Sequence, residues 1–197
     1  MNRADLDALE KIRAAAATRK LDVEGGRVRR TSSRFCLGVE LGDYNWTELF
    51  GVGTDRFVWL GFKPNAMDRV RLYSENFPTS GVIEFRAGHV PPRDPSFAYS
   101  WGRFPFGVDY ILSKADFSTS LGFDGVLHGN IPGVLGERMP SGGEKGAAGA
   151  IVRADAVDAV NAAVQTGYRR SHPELASKFS VHACKMVRGV EVLEGAI

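Results

Sequence analysis

Apolar side chains recur at helical spacing at the start of the chain, and the first half then alternates between apolar and polar residues. The helical spacing predicts a helix over residues 5–20 with Asp5 as its N-cap. Alternation and short apolar runs predict strands at residues 27–37, 56–63, 69–74, 82–86 and 125–128. We expect the first segment to form one or two strands interrupted at residues 31–33. We expect the second and third segments, residues 56–63 and 69–74, to pair as a β-hairpin with one face exposed to solvent.

The second half of the chain predicts helices around a glycine-rich loop. Residues 106–115, 147–164 and 173–186 have helical composition. Residues 133–149 combine repeated glycines with charged side chains, which is typical of a flexible loop, and residues 187–197 form an apolar end. Because strands and helices are mixed and no repeat is present, we expect an α+β fold in a single domain over residues 1–197.

Composition narrows the function classes. The 197 residues include 25 Lys and Arg against 23 Asp and Glu, a net charge of +2 at pH 7, which argues against a nucleic-acid partner. The hydrophobic fraction of 44% allows a real core. Two cysteines are too few for a disulfide scaffold, and four isolated histidines favour no zinc site. With no apolar run of the length that a secretory signal or a membrane span needs, we expect a cytoplasmic protein without a membrane partner.

Residues 34–45 read R-F-C-L-G-V-E-L-G-D-Y-N and place two acids in a short loop after a strand that carries an arginine. Carboxylates accept hydrogen bonds from sugar hydroxyls, so Glu40 and Asp43, with the guanidinium of Arg34, are suited to a polyhydroxylated ligand. The alternative is a surface salt-bridge set, which is a common arrangement of these residue types. The residue types alone leave both interpretations open.

The order and spacing of these residues resemble the first motif of the galactokinase branch of the GHMP small-molecule kinases, G-R-x-x-L-x-G-E-H-x-D-Y-N-G. The ungapped matches are Arg34, Leu37, Glu40, Asp43, Tyr44 and Asn45. The pattern W-x-x-F-x-x-G-V at 101–108 resembles the family's W-x-x-Y-x-x-G-V, and H-G-N-I-P at 128–132 resembles the strand that enters its nucleotide loop. The resemblance is strongest over residues 5–136. It implies a mixed sheet with hairpins, backed by helices on one side, and ATP-dependent phosphorylation of the C1 hydroxyl of galactose or a related sugar.

The resemblance also implies roles for individual residues. Glu40 and Asp43 would accept hydrogen bonds from the sugar, and Tyr44 would help to shape its pocket. Arg34 would be catalytic, because it would neutralise charge near the transferred phosphoryl group. Trp101 would lie against the adenine of ATP, the alternative being a buried core aromatic. ATP with Mg²⁺ is the implied cofactor, and no metal site of the protein's own is expected.

The sequence departs from the family at residues that the family uses for substrate binding and catalysis. Leu41 stands where the family has the histidine of G-E-H, so one side chain able to hydrogen-bond is lost. The family's phosphate loop, P-x-G-x-G-L-S-S-S-A-A, keeps Pro132 and Gly136 but not its serine triplet, and Glu137 and Glu144 would repel a triphosphate. Small residues and a lysine before residue 147 are nevertheless suited to an anion nest, and a disordered glycine loop is the alternative. The candidate nucleotide-binding residues are Gly136, Ser141, Gly142, Gly143 and Lys145.

The family's catalytic aspartate lies in a G-V-x-x-G-x-M-D-Q segment that Gly189-Val190 echoes without supplying the aspartate. We also expect the family's C-terminal domain to be absent. The prediction is therefore a galactokinase-like sugar kinase domain that is incomplete or inactive alone. The alternative is a non-catalytic GHMP-fold protein that binds a sugar or regulates a partner. Self-association or partner binding through the apolar C-terminal end is a further hypothesis, on Val187, Val190, Val192 and Leu193.

Overall fold

The computed structural model describes residues 1–38, 50–89, 100–115, 117, 121–131, 150–193 and 197. These residues fall into two compact units. The first comprises Met1–Ser32, Phe57–Ile131 and Gly189–Ile197, and the second comprises Ser33–Arg56 and Pro132–Arg188. Within the described ranges, none of the helices has the length and hydropathy required to cross a bilayer.

The first helix, α1 (Arg3–Arg19), begins two residues earlier than the apolar spacing predicts. Its N-cap is Asn2 rather than Asp5, which corrects the sequence prediction. The Asn2 side chain accepts a hydrogen bond from the Asp5 N–H at 2.9 Å, and the Asp5 carboxylate accepts one from the Asn2 N–H at 2.9 Å. This reciprocal capping box satisfies two donors at the start of the helix and places Asp5 in its first turn.

The sheet of the first unit is built from six strands: β1 (Arg27–Gly38), β2 (Phe50–Pro64), β3 (Arg69–Ser74), β4 (Val82–Arg86), β5 (Phe123–Gly129) and β7 (Glu191–Leu193). Their order in the sheet is β4-β3-β5-β2-β1-β7. Both β1 and β2 continue into the second unit, where the short β6 (Met186–Val187) pairs with β2. The pairing of β3 with β5 is parallel, whereas β5 runs antiparallel to β2, so the sheet is mixed.

Two predictions about the strands are wrong. Strand β1 runs without interruption through Thr31, Ser32 and Ser33. Hydroxyl side chains are compatible with a sheet where they find partners, and Ser33 Oγ lies 2.6 Å from Thr54 Oγ1. Strands β2 and β3 do not pair as a hairpin, because β5 lies between them and pairs with both. Alternation along a strand shows which residues share a face, but it does not specify the neighbouring strand.

Helices cover both faces of this sheet. Helix α1 lies on the face that carries Trp59 and Tyr73, since Asp5 contacts the Trp59 indole and Arg19 contacts Tyr73. Helix α2 (Arg103–Lys114) packs on the other face, where the Phe106 and Phe85 ring centroids are 4.4 Å apart. The expected mixed α+β fold is confirmed, and the expectation of helices on one side holds for α1 but not for α2.

The second unit differs most from the sequence prediction. Its helix, α3 (Val157–Ser171), begins ten residues after the predicted start and extends seven residues past the predicted end. The helix ends with His172 as its C-cap, because the next residue, Pro173, cannot continue the helical hydrogen-bond ladder. The predicted helix over 173–186 is wrong. That segment holds one 3-10 turn at Pro173–Leu175, and the Tyr168 ring stacks on Phe179 with centroids 3.9 Å apart.

Candidate functional site

Arg34 lies on the part of β1 that belongs to the second unit, and its side chain is exposed. The backbone of β2 passes close beside it at Gly51. A Cβ atom at Gly51 would lie 2.9 Å from the Phe35 carbonyl oxygen and 3.3 Å from Arg34 Cγ. A glycine is therefore needed there for the close approach of the two strands, and the aliphatic part of Arg34 lies against that glycine.

Most of the predicted site residues lie outside the described residues. These are the sugar-binding candidates Glu40, Asp43 and Tyr44 and the nucleotide-binding candidates Gly136, Ser141, Gly142, Gly143 and Lys145. Their roles stay predictions. In the part of the chain that the structure describes, no three His, Cys, Asp or Glu side chains converge as metal ligands would.

Trp101 lies just before α2 and is half-buried. Its ring packs against a core cluster, and its indole N–H finds no hydrogen-bond partner among the described residues. This packing favours the alternative in which Trp101 is a core aromatic, at least for the buried part of its side chain. The proposed contact with adenine stays a prediction. The cluster consists of Val70, Leu72, Ile83, Phe85 and Ala87.

A buried charged network that the sequence did not reveal joins α1 to the sheet. Asp5 is 1% exposed, and its carboxylate accepts hydrogen bonds from Arg30 Nη1 at 2.8 Å and from Trp59 Nε1 at 2.9 Å. Burial alone would raise the pKa of Asp5. The hydrogen bonds from Asn2, Trp59 and Arg30, with the Arg30 charge, outweigh that effect and lower the pKa below its usual value.

Arg30 also pairs with Glu191 on β7, and its guanidinium lies 4.5 Å above the centre of the Phe57 ring. Two acids follow the Gly189-Val190 pair, Glu191 and Glu194, and either could replace the family's aspartate only by coincidence. In the structure Glu191 is a partner of a buried arginine in the sheet. Glu194 lies outside the described residues.

Asp124 on β5 forms a second buried centre. It is 2% exposed and accepts hydrogen bonds from the Asp22 N–H at 2.8 Å, from Asn65 Nδ2 at 2.7 Å and from Arg71 Nη1 at 3.0 Å. Three donors on one carboxylate satisfy the charge that burial would otherwise penalise. Asp124 is thus a structural residue that joins the turn after α1 to β3 and β5.

The other end of β5 carries His128, which is 9% exposed and stacks on Trp59 with centroids 5.9 Å apart. His128 Nδ1 lies 2.8 Å from Glu75 Oε2. Burial and the charge of Lys11 lower the pKa of His128 below its usual value, although Glu75 acts in the opposite direction. The next residues along the chain are Gly129 and Asn130, which lead towards the glycine-rich segment.

The known proteins to which this chain is similar in sequence are galactokinases. The chain is 28% identical over 117 residues to a galactokinase of Levilactobacillus brevis, which covers 59% of this chain and 30% of that protein. It is 37% identical over 68 residues to a galactokinase of Lactococcus lactis subsp. lactis, covering 34% of this chain and 16% of the relative. No established protein-family profile matches the sequence.

Among solved structures, the chain resembles Lactococcus lactis galactokinase complexed with galactose, with a TM-score of 0.53 and 27% identity over 62% of this chain and 31% of that one. The matched region is an α+β domain of the galactokinase N-terminal type. In sequence and in fold, the chain is therefore similar to the galactokinase branch of the GHMP kinase superfamily, as the motif at residues 34–45 predicts. The match spans about a third or less of the length of these relatives.

Proposed function

We propose that this chain is a galactokinase-like sugar kinase domain whose reaction is the ATP-dependent phosphorylation of the C1 hydroxyl of galactose or a related sugar. The observation that carries the proposal is the similarity to galactokinases in both sequence and fold, including a structure solved with galactose. The motif that ends in Asp43, Tyr44 and Asn45 supports the same assignment.

In this proposal the sugar is bound by residues just after β1. Glu40 and Asp43 accept hydrogen bonds from sugar hydroxyls, and Tyr44 covers one side of the sugar. Arg34 supplies positive charge where the phosphoryl group is transferred, and its exposed guanidinium is accessible for that role. No other cation of the motif is available for this purpose, because residues 35–45 contain neither Lys nor Arg.

ATP with Mg²⁺ is the proposed cofactor. Part of the glycine-rich segment carries hydrogen-bond donors of the kind that bind the phosphates of a nucleotide. These donors are the backbone N–H groups of Gly136, Gly142 and Gly143, the Ser141 hydroxyl and the Lys145 ammonium. Trp101, half-buried at the start of α2, offers an apolar ring of the kind that stacks on a base. Bound ATP would supply the phosphoryl group, and these residues would hold and orient it.

A second candidate function is a non-catalytic GHMP-fold protein that binds a sugar or regulates a partner. Two observations favour it. The phosphate loop lacks the serine triplet and carries Glu137 and Glu144. Glu191, which follows the Gly189-Val190 echo of the family's aspartate segment, is paired with Arg30. For this polypeptide alone we therefore expect no efficient phosphoryl transfer.

Calorimetric titrations of the purified chain with galactose and with MgATP, carried out separately, test the proposal. Saturable binding of both ligands supports the kinase domain, and galactose binding without ATP binding supports the non-catalytic alternative. Asp43→Ala should abolish the heat of galactose binding, whereas Asp158→Ala, on the exposed side of α3, should leave it unchanged. Binding of neither ligand by the folded wild-type chain would refute the kinase domain and the sugar-binding form of the alternative.

A further inference from the structure

Helix α2 is held to the sheet through its inner face. On that face the Phe106 ring packs on Phe85, with ring centroids 4.4 Å apart. Asp109 lies on the same side of the helix, is 6% exposed, and accepts a hydrogen bond from the Gly88 N–H at 3.0 Å. These contacts anchor the helix in its unit without using the residues on its outer face.

The outer face of α2 is an apolar stripe. Phe104, Val108 and Ile111 recur at the spacing of one helix face, and they are 64%, 60% and 62% exposed. Between Phe104 and Ile111 the other residue on this face is Gly107, so no charged side chain interrupts it. Phe117, which follows directly after the helix, is 65% exposed. The three helical side chains and Phe117 form what we call the α2 stripe.

The area of the α2 stripe suits a protein–protein interface. A fully exposed side chain of this size presents on the order of 150 Å², so the four residues leave roughly 400 Å² of apolar surface in contact with water. A standard interface buries about 800 Å² on each partner, and somewhat more than half of that area is apolar. The stripe therefore supplies nearly the whole apolar part of one standard interface.

From these observations we propose that the α2 stripe is the contact surface for a second copy of this chain. In a two-fold dimer the same surface occurs on both sides, so it must be complementary to itself. The stripe meets this condition. With the axis at its middle residue, Val108, an antiparallel crossing places Phe104 beside the second copy's Ile111. The uncharged stripe also offers no ionic contact that would select a partner of opposite charge.

The cations of α2 lie outside this contact. The Arg103 guanidinium lies 4.9 Å from the centre of the Phe104 ring, and Lys114 Nζ, at the other end of the helix, lies 5.8 Å from the centre of the Tyr110 ring. Helices that cross at about −50°, the commonest class in globular proteins, touch at their middle and diverge at their ends. We therefore expect the stripe to pack at the centre and the like charges of the two copies to stay apart in a polar rim.

The apolar C-terminal end is the competing surface for self-association. Val190 and Val192 are 71% and 54% exposed, but Leu193 is 9% exposed and Val187 is half-buried. Leu193 is instead paired with Val28 in the sheet. Two of the four residues are thus largely unavailable to a partner, and the α2 stripe is the larger apolar surface.

Sedimentation equilibrium of the full chain tests the proposal. At about 100 μM the mass should be twice that of the single chain, since standard interfaces have Kd values in the micromolar range or below. Val108→Lys places a charge at the centre of the contact and should raise the dimer Kd at least about thirtyfold, the effect of losing a central hot-spot residue. Val190→Lys places the same charge on the C-terminal end and should leave the Kd unchanged. Both positions are exposed, so both variants should keep the circular dichroism spectrum and urea midpoint of wild type.

A cysteine cross-link tests the register without weakening the contact. With Cys36 and Cys184 replaced by serine, Val108→Cys should form a disulfide-linked dimer on oxidation, because the two-fold axis brings this thiol next to its own copy. Leu6→Cys is the matched control, since Leu6 is also an exposed apolar residue of a helix, at 54% exposed. It should remain a single chain under the same treatment.

Three results would overturn the proposal. A wild-type chain that stays monomeric at about 100 μM removes the second copy as the occupant of the stripe. A dimer that Val190→Lys dissociates and Val108→Lys does not has its contact at the C-terminal end. Equal cross-linking of Val108→Cys and Leu6→Cys would show random collision rather than a defined contact. No ligand enters these measurements, so their outcome is independent of the proposed function.

Discussion

Replacing Asp5 by asparagine tests the buried network that joins α1 to the sheet. The substitution keeps the shape of the side chain but removes its charge and one of its acceptor oxygens. Arg30 then loses the carboxylate that its Nη1 contacts at 2.8 and 3.0 Å, while Glu191 remains as its partner. In addition, either the Trp59 indole N–H or the Asn2 N–H loses its acceptor.

The expected cost follows from these losses. Breaking one partner of a buried ion pair typically costs about 3–5 kcal/mol, and we expect the lower end here because Glu191 still faces Arg30. Loss of the acceptor for the Asn2 N–H or for the Trp59 N–H adds about 0.5–1 kcal/mol. A total of about 3–4 kcal/mol is a large part of the roughly 5–15 kcal/mol that stabilises a typical protein.

Urea unfolding followed by tryptophan fluorescence and circular dichroism measures this loss. Asp7→Asn, on an exposed position of the same helix, is the matched control and should change the free energy of unfolding by less than about 0.5 kcal/mol. In a double-mutant cycle with Arg30→Met, the two substitutions together should cost about 1–3 kcal/mol less than the sum of the single effects. Additive effects, or a loss below 1 kcal/mol for Asp5→Asn, would refute the network as a source of stability.

Further predictions concern pH and backbone packing. The folded-state pKa of His128 lies below its unfolded value of 6.5, so protonation favours the unfolded chain. The free energy of unfolding should therefore fall as the pH is lowered below about 6.5. In urea titrations, a His128→Gln variant should lose less stability than wild type between pH 7 and pH 5. The same linkage applies to Asp5, whose contribution should be present above pH 3.8 and be lost at lower pH, as an acid titration of the Asp5→Asn variant beside wild type would show. Gly122→Ala should destabilise the chain by at least about 2 kcal/mol, because its Cβ would lie 2.3 Å from the carbonyl oxygens of Met67 and Arg69. Gly107→Ala in α2, where the added Cβ would meet no atom within 4 Å, should stabilise the chain by about 0.5–1 kcal/mol. Equal melting temperatures of the two variants would contradict this geometry.

Local patterns in the sequence predicted several elements of the first unit closely, whereas the helix predicted over 173–186 in the second unit is wrong. The limits of β3 and β4 agree with the alternation of apolar and polar residues. Of the apolar residues at helical spacing in α1, Leu9, Ile12 and Ala16 are buried and Leu6 is exposed. The family motif predicted the α+β fold and the similarity to galactokinases, because ordered spacing over many residues is far more specific than residue types alone.

Long-range pairing was not predictable in the same way. The insertion of β5 between β2 and β3 depends on contacts between segments about 60 residues apart, which no local pattern records. The buried pairing of Arg30 with Asp5 was hidden for the same reason, since both residues look like surface charges in the sequence.

The most direct test of the galactokinase-like assignment is a crystal structure of this chain with galactose bound. We predict density for the sugar beside the loop after β1, with the carboxylates of Glu40 and Asp43 within hydrogen-bond distance of its hydroxyls and Arg34 facing the same cavity. A structure in which these three side chains point apart into solvent, with no sugar between them at saturating galactose, would contradict the account.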